Sequence, residues 1–146
     1  MKDSHIIDHI RKDPLGLMSR VEESGNNFSV GQRQLLSLAR AILRNSPVVL
    51  CDEVTASIDY QTDKLIQETI RTSPSLKNST IITIAHRLRT IADSDMIIVM
   101  HNGVLVEEGR PYELLEYSSQ FKSLVEESNE FDEIYEIARK SYKFKN

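Results

Sequence analysis

Two adjacent carboxylates, Asp52 and Glu53, end an apolar run that begins at Val48. A continuous apolar run is typical of a strand covered on both faces of a parallel sheet, and open α/β sheets bind ligands at the carboxyl ends of their strands. At such an edge Asp52 can position Mg²⁺ through water, because that ion gives up its hydration shell reluctantly. Glu53 can orient and deprotonate a water molecule for attack on a γ-phosphate. The pair fits equally well a strand that ends at solvent in ordinary polar residues, so both interpretations stay open.

A second segment with possible chemistry is Ser29-Val30-Gly31-Gln32. Ser29 and Gln32 have the spacing of a capping box, in which each side chain accepts a hydrogen bond from the other residue's backbone N–H. A helix that begins here presents unsatisfied N–H groups and a partial positive charge, and Gly31 lets an anion approach the backbone. The segment therefore predicts either an anion-binding helix start or a simple cap without a ligand.

The elements that would position these residues can be read from the hydrophobic spacing. Apolar residues after Ser29 recur at helical intervals and predict one apolar helix face that ends before Pro47: Leu35, Leu38, Ala39, Ile42 and Leu43. Runs 48–51 and 80–85 predict strands covered on both faces, and residues 61–71 predict a helix between them, which gives a β-α-β unit. Upstream, residues 5–12 predict a helix that Pro14 stops, followed by a loop over 13–27.

The second half of the chain predicts a helix over 87–93 and then a hairpin. Asn102-Gly103 lies between the apolar runs 96–100 and 104–106, which is the strongest short-range hairpin signal. Pro111 suits the first position of a helix through Leu115. A terminal amphipathic helix is indicated by helically spaced apolar residues in a charged tail: Phe131, Ile134, Tyr135, Ala138 and Tyr142.

Bulk properties restrict the function classes. The 146 residues, of which 40% are apolar, suffice for one modest domain with a core. The 22 acidic and 18 basic residues give a net charge of −4, which argues against nucleic acid as a partner. No stretch approaches the roughly 18 apolar residues of a membrane span. The single cysteine, Cys51, lies in an apolar run and is expected to be buried and inert.

The ordered set of segments resembles the second half of an ATP-binding cassette (ABC) domain. Phe28-Ser29-Val30-Gly31-Gln32-Arg33-Gln34 and the helix after it resemble the family's signature motif, usually L-S-G-G-Q, with departures at Phe28 and Val30. A bulky residue at the position of Val30 is typical of the second cassette of multidrug-resistance-associated (subfamily C) exporters. Further along the chain, four positions resemble the Walker B aspartate, the catalytic glutamate, the D-loop aspartate and the switch histidine: Asp52, Glu53, Asp59 and His86.

This resemblance implies an α/β fold, the second half of a P-loop NTPase domain, with a partly parallel sheet flanked by helices, a small hairpin and a helical tail. Residues 1–27 would end the helical subdomain, 28–117 would form the C-terminal part of the ATPase core, and 118–146 a charged helical tail. The chain contains no G-x-x-x-x-G-K-[ST] loop, so the strand and loop that hold the triphosphate are missing from it.

The resemblance also implies ATP and Mg²⁺ as cofactors. Glu53 and His86 would be catalytic, Asp52 would hold the metal through water, and Asp59 with residues 29–32 would contact nucleotide across the interface with another cassette. Transmembrane domains of a parent exporter would be the other partners, with the cassette on the cytoplasmic face of a membrane. Because its phosphate-holding loop is missing, the chain alone is expected to be inactive as an ATPase.

Two further interpretations remain. In the first, the chain is a non-catalytic module that caps or competes at another ABC protein. In the second, it belongs to a DNA-repair ATPase of the same superfamily, which the acidic balance and Gln32-Arg33-Gln34 disfavour. Because the elements that cover one face of the sheet precede residue 1 in the family's chain order, the chain is expected to expose an apolar patch.

Overall fold

The computed structural model describes residues 6–52 and 58–145. The chain forms two compact units, one ending at Ile84 and the other beginning at Ala85. The helices and strands are, in chain order, α1 (Ile7–Lys12), α2 (Val30–Arg44), β1 (Val48–Asp52), α3 (Tyr60–Thr72), β2 (Thr80–Ile84), β3 (Ile97–His101), β4 (Val104–Gly109), α4 (Pro111–Glu116), α5 (Gln120–Glu127) and α6 (Phe131–Lys145). None of the helices within the described residues combines the length and hydrophobicity that crossing a membrane requires.

The first unit contains the predicted β-α-β arrangement. Strands β1 and β2 pair in parallel, with Val48 opposite Thr80 and Asp52 opposite Ile84, and α3 lies between them in sequence. Helix α1 confirms the helix predicted before Pro14, and the predicted loop over 13–27 carries two short 3-10 turns. The core packs the inner faces of α2 and α3 against β1: Ile6, Leu35, Leu38, Ile42, Val49, Cys51, Ile58, Ile66 and Leu76.

Helix α2 begins and ends where the sequence predicted, but one residue of the predicted apolar face is not buried. The helix stops where Asn45 adopts a left-handed conformation (φ 48°) ahead of Pro47. Leu43, predicted on the apolar face, is 73% exposed. Leu43 lies one turn after Ala39, at the edge of the buried stripe formed by Leu35, Leu38, Ala39 and Ile42, and no element within the described residues covers it.

Sheet β1–β2 is covered on one face only, so the prediction of strands covered on both faces is wrong for this chain. Val49 and Cys51 are buried against the helices, whereas Val48 and Leu50 on the other face are 50% and 74% exposed. Ile82 and Ile84 of β2 are also exposed. We call these four residues (Val48, Leu50, Ile82 and Ile84) the open sheet face; they confirm the predicted apolar patch. Cys51 is buried as predicted, and desolvation by burial raises the pKa of its thiol.

The second unit is built on the predicted hairpin. Strands β3 and β4 pair antiparallel, and Asn102 and Gly103 form the turn with φ angles of 49° and 77°. Helix α4 begins at Pro111 as predicted, and α6 buries Ile134 and Ala138 as its periodicity predicted. The core of this unit comprises Ala92, Ile97, Leu115, Phe121, Val125, Ile134 and Ala138.

Residues 87–93, predicted as a helix, form only the 3-10 turn Leu88–Thr90. The backbone N–H of Thr90 donates to the carbonyl of Arg87, three residues earlier, and the Thr90 hydroxyl donates to the same carbonyl at 2.7 Å. Such local side-chain bonding competes with the α-helical hydrogen bond to the fourth preceding residue. The segment 118–146, expected to be a charged helical tail, contains both α5 and α6, and the sequence did not predict α5 as separate from α6. The side chain of Ser119 caps α5 by accepting from the N–H of Lys122.

Candidate functional site

The start of α2 is a capping box, as the sequence predicted. Ser29 is extended (φ −63°, ψ 163°), its Oγ accepts from the N–H of Gln32 at 3.2 Å, and Oε1 of Gln32 accepts from the N–H of Ser29 at 2.8 Å. The N–H groups of Val30 and Gly31, at the first two helical positions, have no partner within the helix. Val30 is 40% exposed and Gly31 is buried. The helix start can therefore present backbone donors to an anion.

The loop before α2 is fastened by two side chains. Nη1 of Arg33 donates to the carbonyls of Phe28 at 3.1 Å and Gly25 at 3.3 Å. Asn27 accepts from the N–H of Glu22 and donates to the carbonyl of Arg20. Sequence reasoning assigned Arg33 no role, since nothing in its spacing indicates that it bonds to the loop. These contacts fix the approach of the chain to Ser29.

The start of α3 is held by Asp59. Its Oδ1 accepts from the N–H groups of Gln61 at 3.1 Å and Thr62 at 3.0 Å, and its Oδ2 accepts from the Thr62 hydroxyl at 2.7 Å. These bonds, the backbone bond from Thr62 first, lower the pKa of Asp59. The carboxylate is thus an exposed, ionised helix cap.

The starts of α2 and α3 approach each other closely at Gly31 and Thr62. A Cβ atom placed on Gly31 would lie 2.8 Å from Cγ2 of Thr62. Thr62 is the residue whose hydroxyl donates to Asp59, so the structure joins the segment 29–32 to Asp59 through one side chain. The sequence analysis did not identify Thr62. Its position three residues after the capping Asp59 indicates a hydrogen bond to that residue, but nothing in the local sequence indicates its contact with Gly31.

The carboxyl end of β1 carries Asp52. It is exposed, and its Cα pairs in register with that of Ile84, the last residue of β2. An exposed carboxylate at the end of a parallel strand fits a magnesium ion that keeps most of its waters. Over residues 6–52 and 58–145, no group of three or more His, Cys, Asp or Glu side chains forms a ready metal cage. Phosphate and water would have to supply the remaining ligands.

Of the two predicted catalytic residues, Glu53 and His86, the structure describes only His86. Glu53 lies outside the described residues, so its role stays a prediction. His86 belongs to the second unit, where it is exposed in the bend that follows β2. The structure therefore brings together residues 29–32 and Asp59, while the joint action of these residues with Glu53 and His86 stays a prediction.

The proteins to which this chain is similar have descriptions that agree with one another. The family model described as "ABC transporter" matches residues 4–56. The chain is 52% identical over 129 residues to the Candida glabrata "Pleiotropic ABC efflux transporter of multiple drugs YBT1", covering 88% of this chain and 8% of that protein. It is 50% identical over 125 residues to "ATP-binding cassette sub-family C member 2" of Rattus norvegicus, covering 86% of this chain and again 8% of the relative.

A solved structure matches in fold as well as in sequence. The "Structure of a bacterial Atm1-family ABC exporter with ATP bound" superposes with a TM-score of 0.78 at 36% identity, over 87% of this chain and 22% of that one. The chain thus spans less than a tenth of the length of the curated relatives described above. What it shares with them is one segment of a much longer protein.

Proposed function

The chain belongs to the ABC transporter family as a segment of an ATP-binding cassette, similar to subfamily C exporters, and we propose that it forms the C-terminal part of an exporter's second cassette. In the complete protein this segment would help bind and hydrolyse ATP to drive substrate transport by membrane domains. The observation that carries the proposal is that 87% of this chain superposes on part of an exporter whose structure was solved with ATP bound.

Each predicted site residue has a role in this proposal. Ser29 and the N–H groups at the start of α2 would cap the nucleotide held by a partner cassette. Asp52 would hold hydrated Mg²⁺, which neutralises phosphate charge when bound. Glu53 would accept the proton of the attacking water as the bond to the γ-phosphorus of ATP breaks, and His86 would contact the γ-phosphate. Asp59 would lie at the interface between the cassettes.

The altered signature implies that the two nucleotide sites differ. Val30 replaces the first motif glycine and is 40% exposed at the helix start, so its side chain would stand where the partner's nucleotide approaches. We expect the site capped by this signature to turn over slowly. The site served by Glu53 and His86 would be the competent one, with the phosphate loop supplied by sequence outside this chain.

The open sheet face supports a position inside a larger domain. Val48 and Leu50 stand beside Arg40 and Arg44 of α2 in a groove that no described residue fills. Further segments of the cassette would cover this face, since strands of parallel sheets are normally buried on both sides. The complete protein would then carry the cassette on the cytoplasmic face of a membrane.

The test is ATP turnover by the complete gene product with Glu53→Gln. Loss of a general base costs about 10²- to 10⁴-fold, so we expect kcat to fall by at least about a hundredfold. Glu68→Gln is the matched control, because Glu68 is an exposed carboxylate on α3; it should keep the parent rate. Equal turnover by Glu53→Gln and the parent would show that the base is assigned wrongly.

The same open face also favours a second candidate, a non-catalytic module that docks on another ABC protein. An exposed apolar patch marks an interaction surface, and the chain carries no phosphate-binding loop of its own. This candidate predicts that the 146-residue chain changes the ATP turnover of a full-length ABC exporter when titrated into it. No change at saturating chain concentration would exclude it.

A further inference from the structure

We propose that Thr62 is a positioning residue that couples the start of α2 to the Asp59 cap of α3, and that it is the reason why position 31 must be glycine. The contact itself stands on the geometry of the first unit. Its consequence for ATP turnover rests on the proposed function, which places both helix starts at the nucleotide interface.

The side chain of Thr62 is fixed from two directions. Its hydroxyl donates to Oδ2 of Asp59 at 2.7 Å, and its N–H donates to Oδ1 at 3.0 Å. A β-branched side chain is stiff at χ1, so Oγ1 and Cγ2 move together. Rotating Cγ2 away from Gly31 would therefore break the hydroxyl bond to Asp59. The methyl group cannot give way as the end of a flexible side chain would.

Position 31 faces this fixed methyl group directly. A Cβ at Gly31 would lie 2.8 Å from Cγ2 of Thr62, closer than side-chain carbons approach, but 3.4 Å from both Cβ and Oγ1. The methyl group alone therefore accounts for the clash. Any larger residue at position 31 has to push the starts of α2 and α3 apart or detach Thr62 from Asp59.

The consequence is that the two helix starts form one rigid piece. Ser29 and Gln32 fix the first turn of α2, and Asp59 fixes the first turn of α3. Thr62 transmits the position of one to the other. Rigid placement of groups on both sides of a reacting ligand lowers the barrier to reaction, and small misplacements are costly.

A different explanation for Gly31 makes the opposite prediction. If the glycine serves only to let an anion approach the helix backbone, then alanine at position 31 is harmful whatever residue occupies position 62. If Thr62 imposes the glycine, removing the Thr62 methyl group removes the penalty. The two explanations are separated by Thr62→Ser, which keeps the hydroxyl donor to Asp59 and deletes Cγ2.

The experiment measures ATP turnover of the complete gene product carrying Gly31→Ala, Thr62→Ser and both substitutions together. Because a shift of α2 would reach Asp59, at the proposed interface between the cassettes, through Thr62, we expect Gly31→Ala to lower kcat at the competent site by about tenfold to a hundredfold. The KM for ATP at that site should stay within about twofold, because the phosphate loop that would hold its nucleotide lies outside these contacts. Thr62→Ser should cost about threefold through looser coupling, and the double variant should equal Thr62→Ser. A double variant as slow as Gly31→Ala would overturn the proposal.

The matched variant is Thr62→Val, which keeps a methyl group near position 31 and removes the hydroxyl. Combined with Gly31→Ala it should give much less rescue than serine, because valine carries two γ methyl groups and is stiff at χ1 in a helix, so a methyl group stays against position 31 without the bond to Asp59. Rescue by valine as good as rescue by serine would refute the role of the methyl group. This comparison also distinguishes positioning from a general loosening of the fold.

Thermal unfolding of the 146-residue chain tests the contact without ATP. With Thr62 present, Gly31→Ala should lower the Tm by roughly 3–9 °C. In the Thr62→Ser background it should leave the Tm unchanged or raise it, since alanine is favoured over glycine within a helix. Equal losses in both backgrounds would overturn the proposal. Should Gly31→Ala fail to fold, recovery of folded chain in the double variant supports the contact, and no recovery refutes it.

The two arms keep this inference separate from the proposed function. If Glu53→Gln leaves turnover unchanged while the effect of Gly31→Ala on the Tm differs between backgrounds as expected, the contact is real and the assigned catalytic role is wrong. If Glu53→Gln abolishes turnover while Gly31→Ala is equally harmful in both backgrounds, the function stands and the coupling fails.

Discussion

Removing the carboxylate of Glu107 should detach the start of α5 from the hairpin and destabilise the second unit. Glu107 lies on β4, and its two carboxylate oxygens accept from the N–H groups of Phe121 at 2.9 Å and Gln120 at 3.3 Å. These are the first two residues of α5, and Phe121 is only 1% exposed. One half-buried side chain thus ties a strand to a helix 13 residues later.

The size of the effect follows from the number and length of these bonds. Hydrogen bonds to charged groups contribute about 1.5–3 kcal/mol when buried, but the longer bond to Gln120 is weak and the site is half-exposed. Loss of a capping side chain typically costs about 0.5–2 kcal/mol. We expect Glu107→Ala to cost about 1–2 kcal/mol, which corresponds to a fall in Tm of about 3–8 °C for a chain of this size.

The assay is thermal unfolding followed by circular dichroism, with Glu108→Ala as the control. Glu108 is the next residue of the same strand and is exposed, so its removal should leave the Tm within about 1 °C. Glu107→Gln keeps one oxygen acceptor and should lose less than half as much as Glu107→Ala. Because Ser119 still caps α5 in every variant, the difference isolates Glu107. A Tm for Glu107→Ala equal to that of Glu108→Ala would refute the reasoning.

Two further predictions concern pH and the open sheet face. The hydroxyl of Tyr135 donates to Oε1 of Glu116 at 2.5 Å, which raises the pKa of Tyr135. The hydrogen bond from Tyr135 to Glu116 should therefore stabilise the fold fully below pH about 10, where the tyrosine of the unfolded chain ionises, and progressively less above it. The measurement is the Tm difference between the parent and Tyr135→Phe as a function of pH. A difference that stays constant from neutral to strongly alkaline pH would contradict this prediction. Leu50→Lys should retain the fold and reduce binding of an apolar dye, since Leu50 is 74% exposed, whereas Val49→Lys should unfold the chain, since Val49 is buried. Unchanged dye binding by Leu50→Lys would show that the open sheet face is not the accessible apolar surface.

Features encoded in a few consecutive residues were predictable from the sequence. The capping box of Ser29 and Gln32 and the turn at Asn102-Gly103 each depend on local backbone geometry that few residue types satisfy. The terminal helix was predictable because its apolar spacing persists over several turns.

The failures arose where local signals compete or where contacts are distant in sequence. Leu43 has the right spacing for a buried position, but a neighbouring element must exist to bury it, and within the described residues none does. In the segment 87–93, predicted as a helix, the Thr90 hydroxyl donates to the carbonyl of Arg87; this local bond competes with an α-helical one, and hydrophobic periodicity does not indicate it. Glu107 binds residues 13 and 14 positions away, and no pattern within β4 indicates α5.

At the candidate site, the capping box of Ser29 and Gln32 was predictable from the sequence, whereas the roles of the site residues in binding nucleotide stay predictions. Ser29 accepts from Gln32 through its Oγ, and an accepting hydroxyl still has its own proton to donate, so it can serve both as cap and as phosphate donor. Asp59 already accepts three hydrogen bonds, and a carboxylate offers about four acceptor sites. One further donor can therefore reach it across an interface without displacing the cap. An aspartate that stays ionised because its own helix start holds it is also fixed in position before any partner arrives, which favours binding that requires little reorganisation. For the interface proposed between cassettes, this argument predicts that Asp59→Asn, which keeps one capping oxygen, weakens binding of a second cassette more than it lowers the Tm. Because the substitution removes the acceptor of the Thr62 hydroxyl, its effect should reach Gly31 through Thr62.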